Sequence, residues 1–231
     1  MIKAVFFDLY QTLISYDPPR EVLIAGALAE FGIDASPEMF LAPIVTADEY
    51  IYNEIARQPL SSRSSEDKMA LYTQHQAIML KEAGIEADKN LAMKLLAKMQ
   101  QATLNLVLFD DVNPALSDLR KRGLFLGMIS NVEDNMGEIL DRLGLTALLD
   151  AIITSQDAGI GKPNPQIFLE GIKRAGVRPE EALYVGDQYQ VDVVGARNAG
   201  IQGILLDRTD HYPDITDCPR IKTLSEISNF L

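Results

Sequence analysis

Five short apolar runs, each ending at a polar residue, constrain the fold of this chain more than any other feature of its sequence. The runs are residues 2–7, 124–129, 151–153, 182–185 and 203–206. Short runs that are apolar throughout are typical of strands buried on both faces of a sheet. Stretches with helical spacing lie between them, and each of these ends at a glycine. The alternation predicts βα units, and therefore an α/β fold with a parallel sheet flanked by helices.

A long segment between the first two runs, from about residue 15 to residue 105, contains no convincing strand. Apolar side chains recur there at helical spacing, in one stripe over residues 69–83 and in a second over residues 91–102. We therefore expect an all-helical lobe inserted after the first strand, with Met69 and Met79 in the core of that lobe.

Local sequence also predicts two helix starts in the rest of the chain. Asn113 followed by Pro114 is typical of an N-cap with proline in the first helical position. Asp192 precedes a helical stretch that ends before Gly200, so it is a candidate N-cap as well as a candidate site residue.

Composition narrows the classes of partner and compartment. Cys218 is the one cysteine, so no internal disulfide can form and a reducing compartment is expected. The formal net charge of −12 disfavours nucleic acid and acidic lipid as partners. The apolar runs are too short for a membrane span, and the first one meets Asp8 too early for a signal peptide. We expect a cytoplasmic protein that binds a small molecule, with its oligomeric state left open.

Polar residues follow several of the predicted strands, at the point where each strand ends. Asp8, Ser130 and Asp187 follow or end three of the apolar runs, and Lys162 lies in a loop further along the chain. In an open parallel sheet, the carboxyl ends of the strands form the crevice where ligands bind. These four residues are therefore expected to converge, although they are far apart in sequence.

Four motifs resemble those of the haloacid dehalogenase-like hydrolase superfamily, in the same order and at similar spacing. They read FFDLYQTL at residues 6–13, ISN at 129–131, GKPNPQIF at 161–168 and YVGD at 184–187, with Asp192 beyond them. The resemblance implies a Rossmann-like core formed by residues 1–14 and 106–231. It also implies that residues 15–105 are a helical cap domain and that the protein is a hydrolase.

By this resemblance, Asp8 is the nucleophile, since a carboxylate can attack phosphorus or carbon and form a covalent intermediate. Asp187 would face Asp8, and two close carboxylates repel each other unless a proton or a cation lies between them. Mg²⁺ suits such a pair, because it takes one or two carboxylates and keeps several waters. The resemblance adds the main-chain carbonyl of Tyr10 as a further ligand and Asp192 as a support for the metal loop.

The resemblance also implies a site for the transferred group. Lys162 would neutralise the nucleophile and the group that it attacks. Ser130 and the main-chain amide of Asn131 would bind substrate oxygens. Thr12 would brace the first loop by hydrogen bonding and, like Lys162, would belong to the phosphate-binding group. Turn formation at the end of a strand is the alternative reading of Ser130 and Asn131.

Tyr10 departs from the usual pattern, because most phosphatases of this superfamily have a second Asp there. A phenol has a pKa near ~10, so it can donate a proton but is a poor base at neutral pH. The L-2-haloacid dehalogenase branch has Tyr at the same place and needs neither an acid nor a metal. However, that branch replaces the Gly-Asp pair that this chain keeps at Gly186 and Asp187.

The sequence thus favours a Mg²⁺-dependent phosphatase of small phosphorylated molecules and leaves two alternatives open. One is a dehalogenase in which Asp8 attacks carbon. The other is a weakened enzyme that binds a phosphorylated ligand or a protein as a regulatory module. His75 and His211 are isolated, and we expect them to be surface or packing residues.

Overall fold

The structure is a computed structural model, and it describes residues 1–132 and 136–231. Within these ranges the strands, in chain order, are β1 (Ala4–Phe7), β2 (Ile14–Asp17), β3 (Asn105–Leu108), β4 (Phe125–Ser130), β5 (Ala151–Thr154), β6 (Ala182–Gly186), β7 (Gln202–Leu206) and β8 (Arg220–Ile221). The α-helices are α1 (Arg20–Glu30), α2 (Leu41–Arg57), α3 (Ser65–Glu82), α4 (Lys89–Gln101), α5 (Val112–Lys121), α6 (Gly137–Arg142), α7 (Ser155–Ala158), α8 (Pro165–Ala175) and α9 (Gly195–Asn198). None of these helices combines the length and the apolar character needed to cross a membrane, among the residues described.

The chain divides into two compact units. The first comprises Met1–Ser15 and Leu106–Leu231, and the second comprises Tyr16–Asn105. Both divisions of the chain fall inside the short strands β2 and β3, which form a two-stranded sheet.

The first unit contains a sheet of six parallel strands in the described residues, in the order β5-β4-β1-β6-β7-β8. Strand β1 pairs with β4 on one side and with β6 on the other, so it lies inside the sheet. All four of its residues are apolar, which suits this buried position. The chain leaves β1 toward β4 and later leaves β6 toward β7, so the direction of connection reverses between β1 and β6. Such a reversal opens a crevice at the carboxyl ends of the two strands. The predicted α/β fold with a Rossmann-like parallel sheet is confirmed.

Alternate residues of the strands enter two different cores, one on each face of the sheet. On β1, Val5 and Phe7 belong to one apolar cluster, and Ala4 and Phe6 belong to the other. This period of two explains why β1 is apolar throughout, since both faces of the sheet are covered there.

The second unit has an apolar core of its own, in which Met79 is fully buried. Beside this core, Asp48 of α2 accepts two hydrogen bonds from Arg20 of α1, at 2.6 and 3.0 Å, and one contact from His75 of α3 at 3.0 Å. One carboxylate therefore joins three helices. His75 is thus a packing residue of this unit, as expected.

Four local predictions are wrong. Met69 is exposed (45%), because it lies on the outer side of α3. Helix α5 begins at Val112 rather than after Asn113, and Pro114 still lies in its first turn, where no N–H partner is needed.

The segment from residue 15 to residue 105 was expected to contain no strand, but residues 15–17 belong to β2 and Asn105 belongs to β3. These two strands are too short to show alternation in the sequence. Finally, residues 189–194 form a π-helix before α9, so Asp192 is not an N-cap.

Candidate active site

The carboxyl ends of three neighbouring strands bring the first predicted residues together. Asp8 follows β1, Ser130 ends β4, and Asp187 follows β6. The Asp8 main-chain N–H donates to the carbonyl of Val185 at 2.9 Å, which continues the β1–β6 ladder by one residue. The Ser130 hydroxyl donates to Asp8 Oδ1 at 3.3 Å. The order of the strands alone therefore places a hydroxyl beside the candidate nucleophile.

Lys162 joins this group from the loop before α8, and its side chain is buried. Its Nζ donates to Asp8 Oδ1 at 2.5 Å, to Asp192 Oδ1 at 2.6 Å and to the Tyr184 hydroxyl at 2.8 Å. An ammonium has three N–H donors, so these contacts engage all of them. Burial disfavours the charged form, but Asp192 and Asp8 outweigh it and raise the pKa of Lys162. Lys162 is therefore a charged group at neutral pH.

The side chain of Asn131 fixes the main chain of Lys162. Its Nδ2 donates to the Lys162 carbonyl at 2.8 Å, and its Oδ1 accepts from the Lys162 N–H at 2.7 Å. A Cβ on Gly161 would lie 2.8 Å from that Oδ1, so the approach needs a glycine there. The sequence predicted a substrate-binding role for the main-chain amide of Asn131 and missed this role of its side chain.

Asp192 is buried next to Lys162, with 1% of its surface exposed. Its Oδ1 accepts from Lys162, and its Oδ2 accepts from the main-chain N–H of Gln188 at 3.0 Å. The carboxylate packs directly on Gly186, where an added Cβ would lie 2.3 Å from Asp192 Cγ. The glycine of the YVGD motif thus makes room for the Asp192 carboxylate.

Three carboxylates form the candidate metal site. Asp8, Asp187 and Asp192 each present an oxygen that lies within 4.8 Å of the others. Burial, together with the charge of Asp192, raises the pKa of Asp8 to about 6, against the opposing effect of Lys162. Burial and the charges of Asp8 and Asp192 raise the pKa of Asp187 well above its usual value. Asp8 and Asp192 are buried and Asp187 is half-buried. Close carboxylate oxygens that repel each other are a suitable donor set for a divalent cation.

The loop after Asp8 contains the remaining predicted residues. The Tyr10 hydroxyl points toward Met136 Sδ, at 3.8 Å, and Gln11 has a φ of 59°, in the left-handed region. Thr12 is fully buried, but its hydroxyl has no hydrogen-bond partner in the part of the chain that the structure describes. Within the described residues, the hydrogen bond by which Thr12 was expected to brace this loop is therefore not made by its hydroxyl. The main-chain carbonyl of Thr12 is braced instead, by a hydrogen bond of 3.0 Å from Arg208.

Sequence reasoning missed two residues that contact the site. Tyr184 is fully buried on β6, and its hydroxyl contacts Lys162, Asp192 and the carbonyl of Ile129. Its place in an apolar run gave no sign of a polar role. Arg208 follows β7, and only its position after a strand could have drawn attention to it.

Comparisons with known proteins agree with this geometry. Residues 2–200 match the sequence model of a family described as haloacid dehalogenase-like hydrolase. A glyceraldehyde 3-phosphate phosphatase of Methanopyrus kandleri is 32% identical, over 93% of this chain and 88% of that protein. A phosphoserine phosphatase of Thermus thermophilus is 28% identical, over 98% of each chain. The crystal structure of a 2-haloacid dehalogenase from Pseudomonas syringae is similar with a TM-score of 0.58 and 29% identity, over 99% of this chain and 97% of that one.

Proposed function

The chain belongs to the haloacid dehalogenase-like hydrolases, and we propose that it is a Mg²⁺-dependent phosphatase of a small phosphorylated molecule. The reaction would proceed through an aspartyl-phosphate on Asp8. The phosphatase names of two relatives that cover nearly the whole chain support this substrate class.

The observation that most supports the proposal is the closeness of Asp187 to Asp8. Without a cation, the second carboxylate helps to hold a proton in the site and weakens the nucleophile. The arrangement is useful when a divalent ion neutralises both groups, and such an ion suits phosphoryl oxygens. A dehalogenase that needs no metal gains nothing from Asp187.

The donor set indicates which residues would hold the ion. Asp8 and Asp187 are the proposed side-chain ligands, and the resemblance to the family adds the main-chain carbonyl of Tyr10. Both oxygens of Asp192 already accept hydrogen bonds from protein groups, so we propose that Asp192 holds Lys162 and the loop at Gln188 in place. Mg²⁺, when bound, would supply charge neutralisation and polarise the phosphoryl group.

The protein's own residues would perform the rest. Asp8 attacks phosphorus, the bond from phosphorus to the ester oxygen breaks, and the alcohol departs. Lys162 and Ser130, which already contact the attacking carboxylate, stabilise the charge that develops on the phosphoryl oxygens. Water then attacks phosphorus, which releases inorganic phosphate and regenerates Asp8. Tyr10 can protonate the leaving oxygen but is a poor base for the second step.

The other expectations remain proposals. We propose that the helical unit Tyr16–Asn105 is the cap that selects the substrate, since it is inserted between the first and second motifs. The single cysteine and the net charge of −12 favour a reducing, cytoplasmic location and disfavour nucleic acid as a partner.

The test is phosphate release from an aryl phosphate, with Mg²⁺ and with a chelator. We expect release that depends on Mg²⁺ and is abolished in Asp8→Asn. Asp207→Asn is the matched control, because Asp207 is also a buried aspartate at the end of a strand, where it accepts N–H groups from His211 and Tyr212. The control should lower stability and leave turnover by the folded protein within about twofold.

Dehalogenase chemistry is the second candidate, and two observations favour it. Tyr10 stands where that branch has tyrosine, and a 2-haloacid dehalogenase is among the similar structures. If the protein releases halide from 2-chloropropionate in the presence of a chelator, the phosphatase proposal is wrong and dehalogenase chemistry takes its place. If the protein releases neither phosphate nor halide but still binds inorganic phosphate, the result would indicate a binding module.

A further inference from the structure

We infer that Tyr184 is a positioning residue whose hydroxyl holds the Lys162 ammonium against Asp8. Its effect on turnover rests on the proposed function, but its effect on Lys162 does not. Tyr184 is on β6, three residues before Asp187, and none of its surface is exposed.

Packing alone does not explain a tyrosine at this position. The ring belongs to the apolar cluster on one face of the sheet and meets Phe168 edge to face, with centroids 5.0 Å apart. A phenylalanine would make the same ring contacts. Burying a hydroxyl has a free-energy cost unless the group is hydrogen-bonded. The reason for the hydroxyl must therefore lie in its polar contacts.

These contacts connect three separate parts of the site. The hydroxyl oxygen accepts from Lys162 Nζ at 2.8 Å, and its proton can go to the Ile129 carbonyl at 2.9 Å or to Asp192 Oδ1 at 3.1 Å. Ile129 immediately precedes Ser130 on β4. Tyr184 thus links the strand that ends at Ser130, the loop of Lys162 and the segment of Asp192.

The hydroxyl is the only neutral acceptor among the three groups that Lys162 contacts. The other two acceptors are the carboxylates of Asp8 and Asp192. Removal of the hydroxyl would leave one ammonium N–H without a partner in a buried place, and the ammonium would shift toward the carboxylates. We therefore expect Tyr184 to fix the direction in which Lys162 presents its charge.

Tyr184→Phe tests this inference through kinetics. One lost hydrogen bond to a buried charged group corresponds to a fall in kcat of roughly 10- to 100-fold. We expect KM to stay within about twofold, because the change affects the developing charge rather than ground-state binding. Phe168→Leu is the matched control, since it loosens the same ring and keeps the hydroxyl. An equal fall in kcat in both variants would show that Tyr184 acts by packing, and would overturn the inference.

A second measurement does not depend on activity. The ammonium signal of Lys162 can be observed by proton–nitrogen correlation in lysine-labelled protein and assigned by its loss in Lys162→Met. We expect Tyr184→Phe to shift this signal and speed its exchange with water, while Phe168→Leu leaves it in place. An unchanged signal in Tyr184→Phe would refute the role. If the unmodified protein releases no phosphate, the proposed function fails, and this measurement still decides the role of Tyr184.

Discussion

Gly186→Ala should test how the YVGD motif is built. The Cβ of alanine would lie 2.3 Å from Cγ and Oδ2 of Asp192 and 2.7 Å from its Cβ. Ordinary contacts between such atoms begin near 3.4 Å. The Asp192 carboxylate must therefore move by about 1 Å, and it is buried on all sides.

The size of the effect follows from the bonds that this movement breaks. Asp192 Oδ1 accepts from Lys162 at 2.6 Å, and Oδ2 accepts from the Gln188 N–H at 3.0 Å. A buried hydrogen bond to a charged group contributes about 1.5–3 kcal/mol, so losing both costs about 3–6 kcal/mol. For a chain of this length, 1 kcal/mol shifts Tm by about 2–4 °C, so we expect Tm to fall by roughly 6–24 °C.

Urea unfolding followed by circular dichroism measures the free energy of unfolding that Gly186→Ala loses. A double-mutant cycle tests whether this loss comes from the overlap of the new Cβ with Asp192. In an Asp192→Gly background, Gly186→Ala has no carboxylate to displace, so its cost should fall to within about 1 kcal/mol. Gly26→Ala is the control, because a Cβ on Gly26 meets no atom within 4 Å. The reasoning is refuted if Gly186→Ala costs as much in the Asp192→Gly background as in the unmodified chain.

Three further outcomes are expected. Burial raises the pKa of Asp48, but Arg20 and His75 outweigh it and lower that pKa to about 2. The stabilisation of the fold by ionised Asp48 is therefore complete above pH ~4 and is lost between about pH 4 and 2. The urea midpoints of the unmodified chain and of Asp48→Asn should converge as the pH falls through this range. Tyr10→Asp should raise turnover of an alkyl phosphate by about tenfold or more, because it restores an acid and base, and a loss of activity would show another role for Tyr10. Gln11→Gly should keep or raise Tm by a few degrees, since a φ of 59° costs a non-glycine residue roughly 1–2 kcal/mol, and a lower Tm would contradict this.

The sheet was predictable because its strands are buried on both faces. The run at residues 182–185 becomes β6 (Ala182–Gly186) with little change, since each side chain enters one of two apolar cores. Strand β8 (Arg220–Ile221) has two residues, too few for any pattern. The π-helix at residues 189–194 also has no sequence signal, because its 6 residues are too few to reveal a period.

The site was predictable to the extent that it depends on strand ends. Asp8, Ser130 and Asp187 follow from the order of parallel strands, and any sequence that shows those strands places them at one edge. Lys162 comes from a loop, so the order of the strands does not fix where its side chain lies, and its expected role came from the resemblance to a known family. The hydrogen bonds of Asn131 and Tyr184 depend on side-chain directions, which spacing along the chain does not determine.

The balance of charge explains why Asp187 outweighs Tyr10 as evidence for the reaction. Within the described residues, the carboxylates of Asp8, Asp187 and Asp192 face one ammonium, that of Lys162, so the ionised group has an excess of two negative charges. Such an excess is unstable in a buried place, and the raised pKa values of Asp8 and Asp187 reflect it. One divalent cation removes this excess completely before any anionic substrate binds. Tyr10 changes how a leaving group is protonated, but it does nothing to the charge that the site must first neutralise.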